Sequence, residues 1–159
     1  MHVEQLMTKD VSFCDAEDPL NEAAALMWER DCGAVPVVAR SSEGRVVAMI
    51  TDRDVCMAAY TTGRPLTGLH AYDAMSRELH TCKPGDTVED AEAVMRQNQV
   101  RRLPVVDDTG NLAGILSIAD LARAAASQHG KRQPQIGEKE VTRLLEAISA
   151  PRAGSLGSA

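Results

Sequence analysis

Val46-Val47-Ala48-Met49-Ile50-Thr51-Asp52-Arg53-Asp54-Val55 is an apolar run that ends in Thr-x-x-Asp. The apolar part predicts a buried strand, and a hydroxyl residue with an acid three positions later is typical of a helix start. The chain repeats the pattern at Leu112-Ala113-Gly114-Ile115-Leu116-Ser117-Ile118-Ala119-Asp120-Leu121. Either copy alone is a weak motif, but the recurrence of both chemistry and spacing indicates an internal repeat.

The repeat extends over most of the chain. Pairs of identical residues in the two halves lie 68 positions apart: Met7 and Met75, Cys14 and Cys82, Asp18 and Asp86, Ala23 and Ala91, Met27 and Met95, Pro36 and Pro104. After the turn Asp107-Asp108-Thr109-Gly110, which is two residues shorter than its counterpart, the offset is 66. Deletions are tolerated best in surface turns, so we expect both halves to share one fold.

Each half is predicted to run strand, helix, strand, strand, helix. In the first half, Val11 to Cys14 suggests a brief strand, Asp18-Pro19 a helix start, and Ala34 to Ala39 a strand that forms a hairpin with Val46 to Ile50. In the second half, Asp86 and Glu89 have the spacing of a capping box. Because each half alone exposes much apolar surface, we expect the halves to pack about a pseudo-twofold axis.

The predicted fold class is therefore α/β (α+β), with two β-α-β-β-α repeats and a short C-terminal helix. The last helix is indicated by Val141, Leu144, Leu145 and Ile148 on one face, which we expect to dock on the body or on a partner subunit. The predicted divisions are 1–66 for repeat 1, 67–127 for repeat 2, 128–137 for a polar linker, 138–150 for the amphipathic helix and 151–159 for a disordered tail.

Composition argues against several classes of function. A net charge of -6, a pI near 5.2 and 3% aromatic residues do not suit a nucleic-acid binder, which needs basic and stacking surfaces. The N-terminal residues lack the apolar core of a signal peptide, and no run has the length of a membrane span. We therefore expect a cytoplasmic protein that binds neither nucleic acid nor membrane.

The four cysteines include no Cys-x-x-Cys pair, so we expect no metal site. In a reducing compartment, small thiols mostly serve as apolar packing. Because Cys14 and Cys82 occupy equivalent positions in the two halves, a redox pair between them stays an alternative.

Two interpretations fit the residues Thr51 to Asp54, the first corner, and Ser117 to Asp120, the second corner. A hydroxyl and an acid at this spacing can simply cap a helix. Alternatively, a reciprocal box prefers the longer Glu or Gln, and a helix start offers free N–H groups to a phosphate, beside which Arg53 adds a charge. On the second interpretation, the hydroxyl and amides bind phosphate and the Asp carboxylate accepts two hydrogen bonds from a ribose diol.

The two corners resemble a known signature. Ala48-Met49-Ile50-Thr51-Asp52-Arg53-Asp54 and Gly114-Ile115-Leu116-Ser117-Ile118-Ala119-Asp120 resemble the Gly-hydrophobic-hydrophobic-Thr/Ser-x-x-Asp motif of CBS domains, which pair into Bateman modules. Gly33 to Val38 and Val100 to Asp107 resemble the hydrophobic-Pro-Val-Val strand of the same family. The resemblance covers about residues 5 to 127. It implies a stand-alone tandem CBS module that senses AMP, ADP, ATP or S-adenosylmethionine in one or both clefts and dimerises.

The resemblance also assigns candidate ligand-binding residues. One site would combine Thr51, Arg53 and Asp54 with Val100 and Arg101, and the other would combine Ser117 and Asp120 with Cys32 and Gly33. The stretches Val11 to Phe13 and Leu79 to Thr81 would border the base. Arg101-Arg102 is first interpreted as a solvated charge pair, with a phosphate contact as the alternative.

Two departures from the family motif matter. Ala48 replaces the usual glycine, and Ala119 stands at the position that Arg53 holds in the first corner. We therefore expect the Thr51/Asp54 site to favour phosphorylated ligands, and the Ser117/Asp120 site to be weaker, empty or suited to a less charged adenosine.

Three functions can be compared. The first is a regulatory module, with no obligatory cofactor, that signals through the shape of a homodimer or through an unknown protein partner. The second is a structural or stress-associated interaction protein with vestigial ligand clefts. The third, an enzyme, lacks support because no catalytic motif is present and His2, His70, His80 and His129 have no acidic or nucleophilic companions at motif spacing.

Overall fold

Two β-hairpins, one in each repeat, form the sheets. The computed structural model of the protein describes residues 1–128 and 136–151. In repeat 1, a parallel strand extends the hairpin into a sheet of order β1-β2-β3, whereas the repeat 2 hairpin is a two-stranded sheet. The strands are β1 (Cys14–Asp15), β2 (Ala34–Ala39), β3 (Arg45–Thr51), β4 (Arg102–Val106) and β5 (Leu112–Ser117).

The helices follow the strands in the predicted order. They are α1 (Leu20–Glu29), α2 (Asp52–Thr62), α3 (Ala71–Ala74), α4 (Val88–Asn98), α5 (Ile118–Ser127) and α6 (Glu138–Ser149), with short 3-10 turns at Val3–Gln5, Arg40–Ser42 and Leu66–Gly68. The first strand of repeat 2 is reduced to a parallel bridge between Cys82 and Val105, which matches the pairing of Cys14 with Val37 in repeat 1. The β-α-β-β-α repeats and the C-terminal helix are thus confirmed.

Residues 1–9 and the equivalent residues 69–77, the two lead-in segments, precede the repeats. Their contacts with the hairpins show the pseudo-twofold relation. Thr8 and Ile115 exchange two backbone hydrogen bonds of 2.9 Å. At the equivalent place, the Ser76 backbone N–H donates to the Met49 carbonyl at 2.8 Å, and the Met49 N–H donates to the Ser76 hydroxyl at 3.1 Å. The hairpins meet where the Val46 N–H donates to the Gly110 carbonyl at 3.1 Å.

Each repeat has its own apolar core, and each core receives the lead-in of the other repeat. Val3, at the start of the chain, is buried in the core of repeat 2 with Leu103 and Leu116. Leu69 and Ala71, which precede repeat 2, are buried in the core of repeat 1. The predicted division between residues 66 and 67 follows the order of the chain and does not include this exchange. A local sequence pattern cannot predict in which of the two cores a short segment is buried.

Three predicted element starts are wrong. Helix α1 begins at Leu20 with Pro19 as its N-cap, whereas the Asp18 carboxylate accepts from the Asp15 N–H at 2.7 Å in the preceding turn. Helix α4 is capped by Thr87, whose hydroxyl accepts from the Asp90 N–H at 3.1 Å, whereas the Asp86 carboxylate accepts from the Lys83 N–H at 2.7 Å in the preceding turn. The capping box of Asp86 and Glu89 therefore does not form. The first strand is Cys14–Asp15 rather than Val11 to Cys14, since only these two residues pair with β2.

The C-terminal helix α6 packs on repeat 2, between α4 and α5. Leu144 and Ile148 are buried in the repeat 2 core, whereas Leu145, on the predicted apolar face, is 48% exposed. Docking on the body is thus confirmed. Most of the predicted linker, residues 129–135, and residues 152–159 of the predicted disordered tail lie outside the described residues.

We predict that stability depends on the protonation of Glu92, a buried residue of α4. Burial raises the pKa of its carboxyl, Arg96 opposes the rise, and Glu89 and Glu140 of α6 add to it. A carboxyl whose pKa is raised by folding stabilises the fold below its unfolded pKa, and this contribution is lost as the pH rises through the folded pKa. We therefore expect Glu92→Gln to melt at a higher temperature than the wild type at pH 7, with the difference vanishing below pH ~4.

Thermal melts at a series of pH values check this prediction. Glu29→Gln is the control, because Glu29 is an exposed glutamate on α1 of repeat 1 and is not among the residues that shift the pKa of Glu92. An advantage of Glu92→Gln that is the same at every pH would contradict the titration of Glu92.

Candidate functional site

The first corner is a complete capping box. The Thr51 hydroxyl accepts from the Asp54 N–H at 3.2 Å, and Asp54 Oδ2 accepts from the Thr51 N–H at 2.9 Å and from the Thr51 hydroxyl at 2.6 Å. Aspartate therefore closes a reciprocal box here, although such boxes prefer the longer Glu or Gln. Both bonds that the Asp54 carboxylate accepts use Oδ2, and Asp54 Oδ1 has no hydrogen-bond partner within residues 1–128 and 136–151.

The second corner repeats this box but differs in its second oxygen. Asp120 Oδ2 accepts from the Ser117 N–H at 2.8 Å and from the Ser117 hydroxyl at 2.6 Å. Asp120 Oδ1 instead pairs with the guanidinium of Arg123, and Asp120 is only 8% exposed. The position equivalent to Arg123 in the first half is Met57, so this ion pair has no counterpart at the first corner. Of these two corner aspartates, Asp54 is therefore the one with a carboxylate oxygen that a ligand can use.

The helix-start amides of α2 already have acceptors. The Asp52 N–H donates to the Gly33 carbonyl at 3.3 Å, the Arg53 N–H to Asp52 Oδ1 at 2.7 Å, and the Asp54 N–H to Thr51. The expected free N–H groups for a phosphate are thus occupied, because the residue at the first helical position is an aspartate that binds back to the backbone. A phosphate here would depend on cationic side chains.

The first corner opens into a cavity of about 780 Å³, the main cavity. This volume lies within the usual range of ligand pockets. The predicted residues of the first site all line it: Thr51, Arg53, Asp54, Val100 and Arg101. The structure therefore brings the first corner of repeat 1 together with the start of β4 in repeat 2, as the resemblance implies.

Three arginines line the main cavity: Arg53, Arg101 and Arg102. None of them forms an ion pair with any other described residue. The acids at the cavity are Asp52, Asp54 and Glu78, the last of which lies 3.6 Å from Nε2 of His80. Unpaired guanidinium groups in an otherwise acidic chain favour an anionic ligand, because arginine binds phosphate oxygens through two parallel hydrogen bonds.

Another part of the cavity wall is apolar. It is formed by Ala34 and Met49 from the repeat 1 hairpin, Val100 from repeat 2 and Ile148 from α6. An apolar wall beside a charged one suits a ligand with a planar ring and a phosphate.

The sequence analysis missed part of this site. Arg102 was assigned only a possible phosphate contact, and Ser76, Gln99 and Ile148 were not considered. The repeat offset could have indicated Arg102, which neighbours Arg101 in the second copy of the strand motif. No local pattern could have indicated Ile148, since it reaches the cavity only through the docking of α6.

The residues predicted for the second site are placed differently. Cys32 and Gly33 line a second cavity of about 400 Å³ between α1 and α2, together with Met27, Trp28 and Val55. Gly33 also lines the main cavity. Ser117 and Asp120 line neither the second cavity, the α1/α2 groove, nor the main cavity. Of the two stretches expected to border the base, Leu79 to Thr81 contributes His80 to the main cavity, whereas Val11 to Phe13 lines neither cavity. The second site stays a prediction.

Cys14 and Cys82 are buried in different cores, Cys14 in that of repeat 1 and Cys82 in that of repeat 2. Burial raises the pKa of each thiol to about 12, and acidic neighbours add to the rise. Because the thiolate is the reactive form, both are poor candidates for redox chemistry. The structure therefore favours the packing interpretation of these two cysteines.

Residues 1–128 and 136–151 contain neither a group of metal ligands nor a membrane-spanning helix. No three His, Cys, Asp or Glu side chains are grouped so that they could hold a metal ion there. In the same residues, no helix has the length and hydropathy that crossing a membrane requires.

Comparison with known proteins identifies the family of this fold. The CBS domain family model matches residues 3–60 and 71–127. The CBS domain-containing protein YhcV of Bacillus subtilis (strain 168) is 38% identical over 124 residues, which span 76% of this chain and 82% of YhcV.

Two solved structures share the fold. The structure of CBSX2 in complex with AMP is 25% identical, with a TM-score of 0.67, and the match covers 79% of this chain and 96% of CBSX2. The CBS domain pair of protein MJ0100, in complex with 5-methylthioadenosine and S-adenosyl-L-methionine, is 21% identical, with a TM-score of 0.70 over 80% of this chain and 98% of that chain. Two family matches in tandem and a relative of this similarity show that the chain belongs to the CBS domain family, as a pair of CBS domains.

Proposed function

We propose that this CBS pair is a regulatory module, without catalysis of its own, that binds an adenosine ligand carrying phosphate in the main cavity. The observation that carries the proposal is the combination, in one cavity, of three unpaired arginines, an apolar wall and the free Oδ1 of Asp54. The AMP in the structure of CBSX2 supports this choice of ligand class.

Each part of the ligand has a matching group. Oδ1 of Asp54 would accept a hydrogen bond from a ribose hydroxyl while Oδ2 keeps the capping box. Arg53, Arg101 and Arg102 would neutralise the phosphate, and the base would lie against Met49, Val100 and Ile148. S-adenosylmethionine has no phosphate for the arginines and should bind more weakly than AMP, ADP or ATP.

A binding screen tests the proposal. Thermal melts and calorimetric titrations with adenosine, AMP, ADP, ATP and S-adenosylmethionine would be compared with GMP as the control for the base. A ligand at a hundredfold excess over its Kd stabilises the folded state by roughly 2.7 kcal/mol. Absence of any shift with all of the adenosine compounds would overturn the proposal.

The Arg53→Ala variant tests the role of the arginines. Loss of a charge-assisted hydrogen bond, worth roughly 1.5–3 kcal/mol, should weaken AMP binding by about 10- to 100-fold and adenosine binding much less. Arg143→Ala is a matched control, because Arg143 lies on the exposed face of α6 and does not line the main cavity. Unchanged AMP affinity in Arg53→Ala would show that the first corner does not bind phosphate.

We also propose that the protein forms a homodimer through the helices of repeat 1. Three large apolar side chains are exposed on α1 and α2: Trp28 (88% exposed), Tyr60 (80%) and Met57 (44%). The equivalent positions in repeat 2 are Arg96, Ala126 and Arg123, and there α6 covers the helices. We propose that a second copy of the chain packs on the α1/α2 face of repeat 1. In such an isologous dimer, the same large side chains would be buried on both partners.

Sedimentation velocity at several protein concentrations tests the dimer. Trp28→Glu is expected to shift the protein to the monomer. Tyr72→Glu is the control, because Tyr72 is an exposed aromatic residue on α3, where its ring stacks on His70. A wild type that remains monomeric at high concentration would overturn the proposed dimer and leave a different protein partner as the explanation of the exposed face.

One observation favours the alternative of a structural or interaction protein with vestigial clefts. Both capping boxes and the α2 helix-start amides are satisfied within the chain, so the corners are stable helix starts without any ligand. The same binding screen separates the two functions, because a vestigial cleft gives no stabilisation by any adenosine compound.

A further inference from the structure

We infer that α6 is a wall of the ligand site, so that docking of this helix and occupancy of the main cavity are thermodynamically coupled. This inference rests on the proposed function. The helix follows residue 127, where the second family match ends, and it is therefore an element that this chain adds to its CBS pair.

Ile148 is the direct link between helix and cavity. Its side chain is 6% exposed and belongs to the core of repeat 2. The same side chain lines the main cavity, opposite residues of the repeat 1 hairpin and the first corner. A base bound against this wall would lose an apolar contact whenever α6 undocks.

Gln99 is a second link, through the backbone. This residue ends α4 in the left-handed conformation, with a φ of 50°, and its Nε2 donates to the carbonyls of Ala147 at 3.3 Å and Ala150 at 3.0 Å. These carbonyls belong to the C-terminal end of α6, where the Ala150 N–H also donates to the Ala147 carbonyl, at 3.4 Å. The next residues, Val100 and Arg101, line the cavity. One turn therefore holds α6 on one side and contacts the ligand space on the other.

The repeat relation shows that this arrangement is specific to repeat 2. Asp31 is the residue equivalent to Gln99 and also has a positive φ, of 48°, but its carboxylate cannot donate to helix carbonyls. Around Asp31, the α1/α2 groove is open, and among residues 1–128 and 136–151 it is lined only by α1, α2 and residues 31–33. The α4/α5 surface of repeat 2 thus differs from the equivalent α1/α2 surface of repeat 1, because Gln99 supplies a hydrogen-bond donor to the end of α6 and Asp31 does not.

We expect docking of α6 to respond to a ligand. The helix buries two large side chains, Leu144 and Ile148, and a helix of 12 residues is marginal without tertiary contacts. A ligand that contacts the docked helix shifts the docking equilibrium by its difference in affinity for the two states, and docking raises the affinity for the ligand by the same factor. Binding of the nucleotide would in this way be reported at the C-terminal end of the chain.

The experiment uses the full chain with AMP as the probe. Hydrogen–deuterium exchange of residues 138–149 is measured with and without AMP, and AMP affinity is measured by calorimetry for the wild type, Leu144→Ala and Leu145→Ala. Leu144 is a fully buried residue of α6 that does not line the main cavity. Its replacement should therefore weaken docking of α6 without removing a contact to the ligand. Leu145, half-exposed on the same helix, is the matched control.

We expect AMP to slow exchange of 138–149 and Leu144→Ala to weaken AMP binding by roughly three- to tenfold, within the usual range of coupling free energies. Leu145→Ala should bind like the wild type. If the wild type binds AMP while exchange in 138–149 is unchanged and Leu144→Ala keeps its affinity, α6 is not coupled to the site, and the proposed function survives. If the wild type binds no adenosine compound, both proposals fail. The wild-type exchange result decides the question even if Leu144→Ala does not fold.

Discussion

Asp54→Ala is expected to weaken AMP binding by about 10- to 100-fold, whereas Asp120→Ala should leave it within about twofold of the wild type. The two aspartates form the same capping box, with Oδ2 on the backbone and hydroxyl of the residue three positions before. Their other oxygens differ, because Oδ1 of Asp120 pairs with Arg123 and Oδ1 of Asp54 has no partner in the described part of the chain. Only Asp54 lies at the main cavity and can accept from a ribose hydroxyl.

This pair of variants separates binding from stability. Each substitution removes one reciprocal cap and should cost about 1 kcal/mol of unfolding free energy. Asp120→Ala also removes the pair with the exposed Arg123, which adds up to about 1 kcal/mol, so its melting temperature should be equal to or lower than that of Asp54→Ala. Calorimetric titration with AMP then compares binding, and a larger loss in Asp54→Ala cannot come from lower stability. Equal loss of affinity in both variants would mean that the aspartates act only through helix capping.

Gly114→Ala is expected to lower the free energy of unfolding by about 1–3 kcal/mol, because a Cβ at this position has no room. An added Cβ would lie 2.7 Å from the backbone carbonyl oxygen of Thr8 and 2.9 Å from Sδ of Met7. Thr8 is held there by its two hydrogen bonds to Ile115 and cannot move without breaking them. At the equivalent position in repeat 1, Ala48 is fully buried and native, so the restriction comes from the lead-in strand and not from the motif.

Urea denaturation measures this loss. Gly85→Ala is the control. Gly85 is not among the glycines with a positive φ, and no heavy atom lies within 4 Å of an added Cβ. If Gly114→Ala were as stable as Gly85→Ala, the N-terminal segment would not pack on β5 in the way described.

The elements with regular patterns were predicted well. The hairpins, the helices and α6 follow from apolar periodicity and turn residues, which are local properties of the chain. The start of α4 was predicted incorrectly, since Asp86 and Thr87 are both good caps and the competing bond from Lys83 to Asp86 occurs in the preceding turn. The first strand was misplaced for a similar reason, because β1 is only two residues long and is defined by its pairing with β2.

The site was predicted less completely than the fold. Thr51 and Asp54 are visible as a motif, and the resemblance to CBS domains added Val100 and Arg101, which lie on the same cavity. The motif did not show that the α2 amides would already be occupied by Asp52 and Gly33. Nor did it show that Arg123 would take the free oxygen of Asp120, since an arginine three residues after an aspartate on a helix can equally extend into solvent.

The internal duplication and the order of strands and helices follow from the order of residues alone, because a constant repeat offset and apolar periodicity can be seen without the tertiary structure. The structure was needed to show that both corners are reciprocal caps. The exchange of the lead-in segments, the difference between the two aspartates and the place of Ile148 in the cavity wall arose only on folding. Each depends on which of several equally suitable surfaces a segment packs against, and this choice is made by the complete set of long-range contacts rather than by any local pattern.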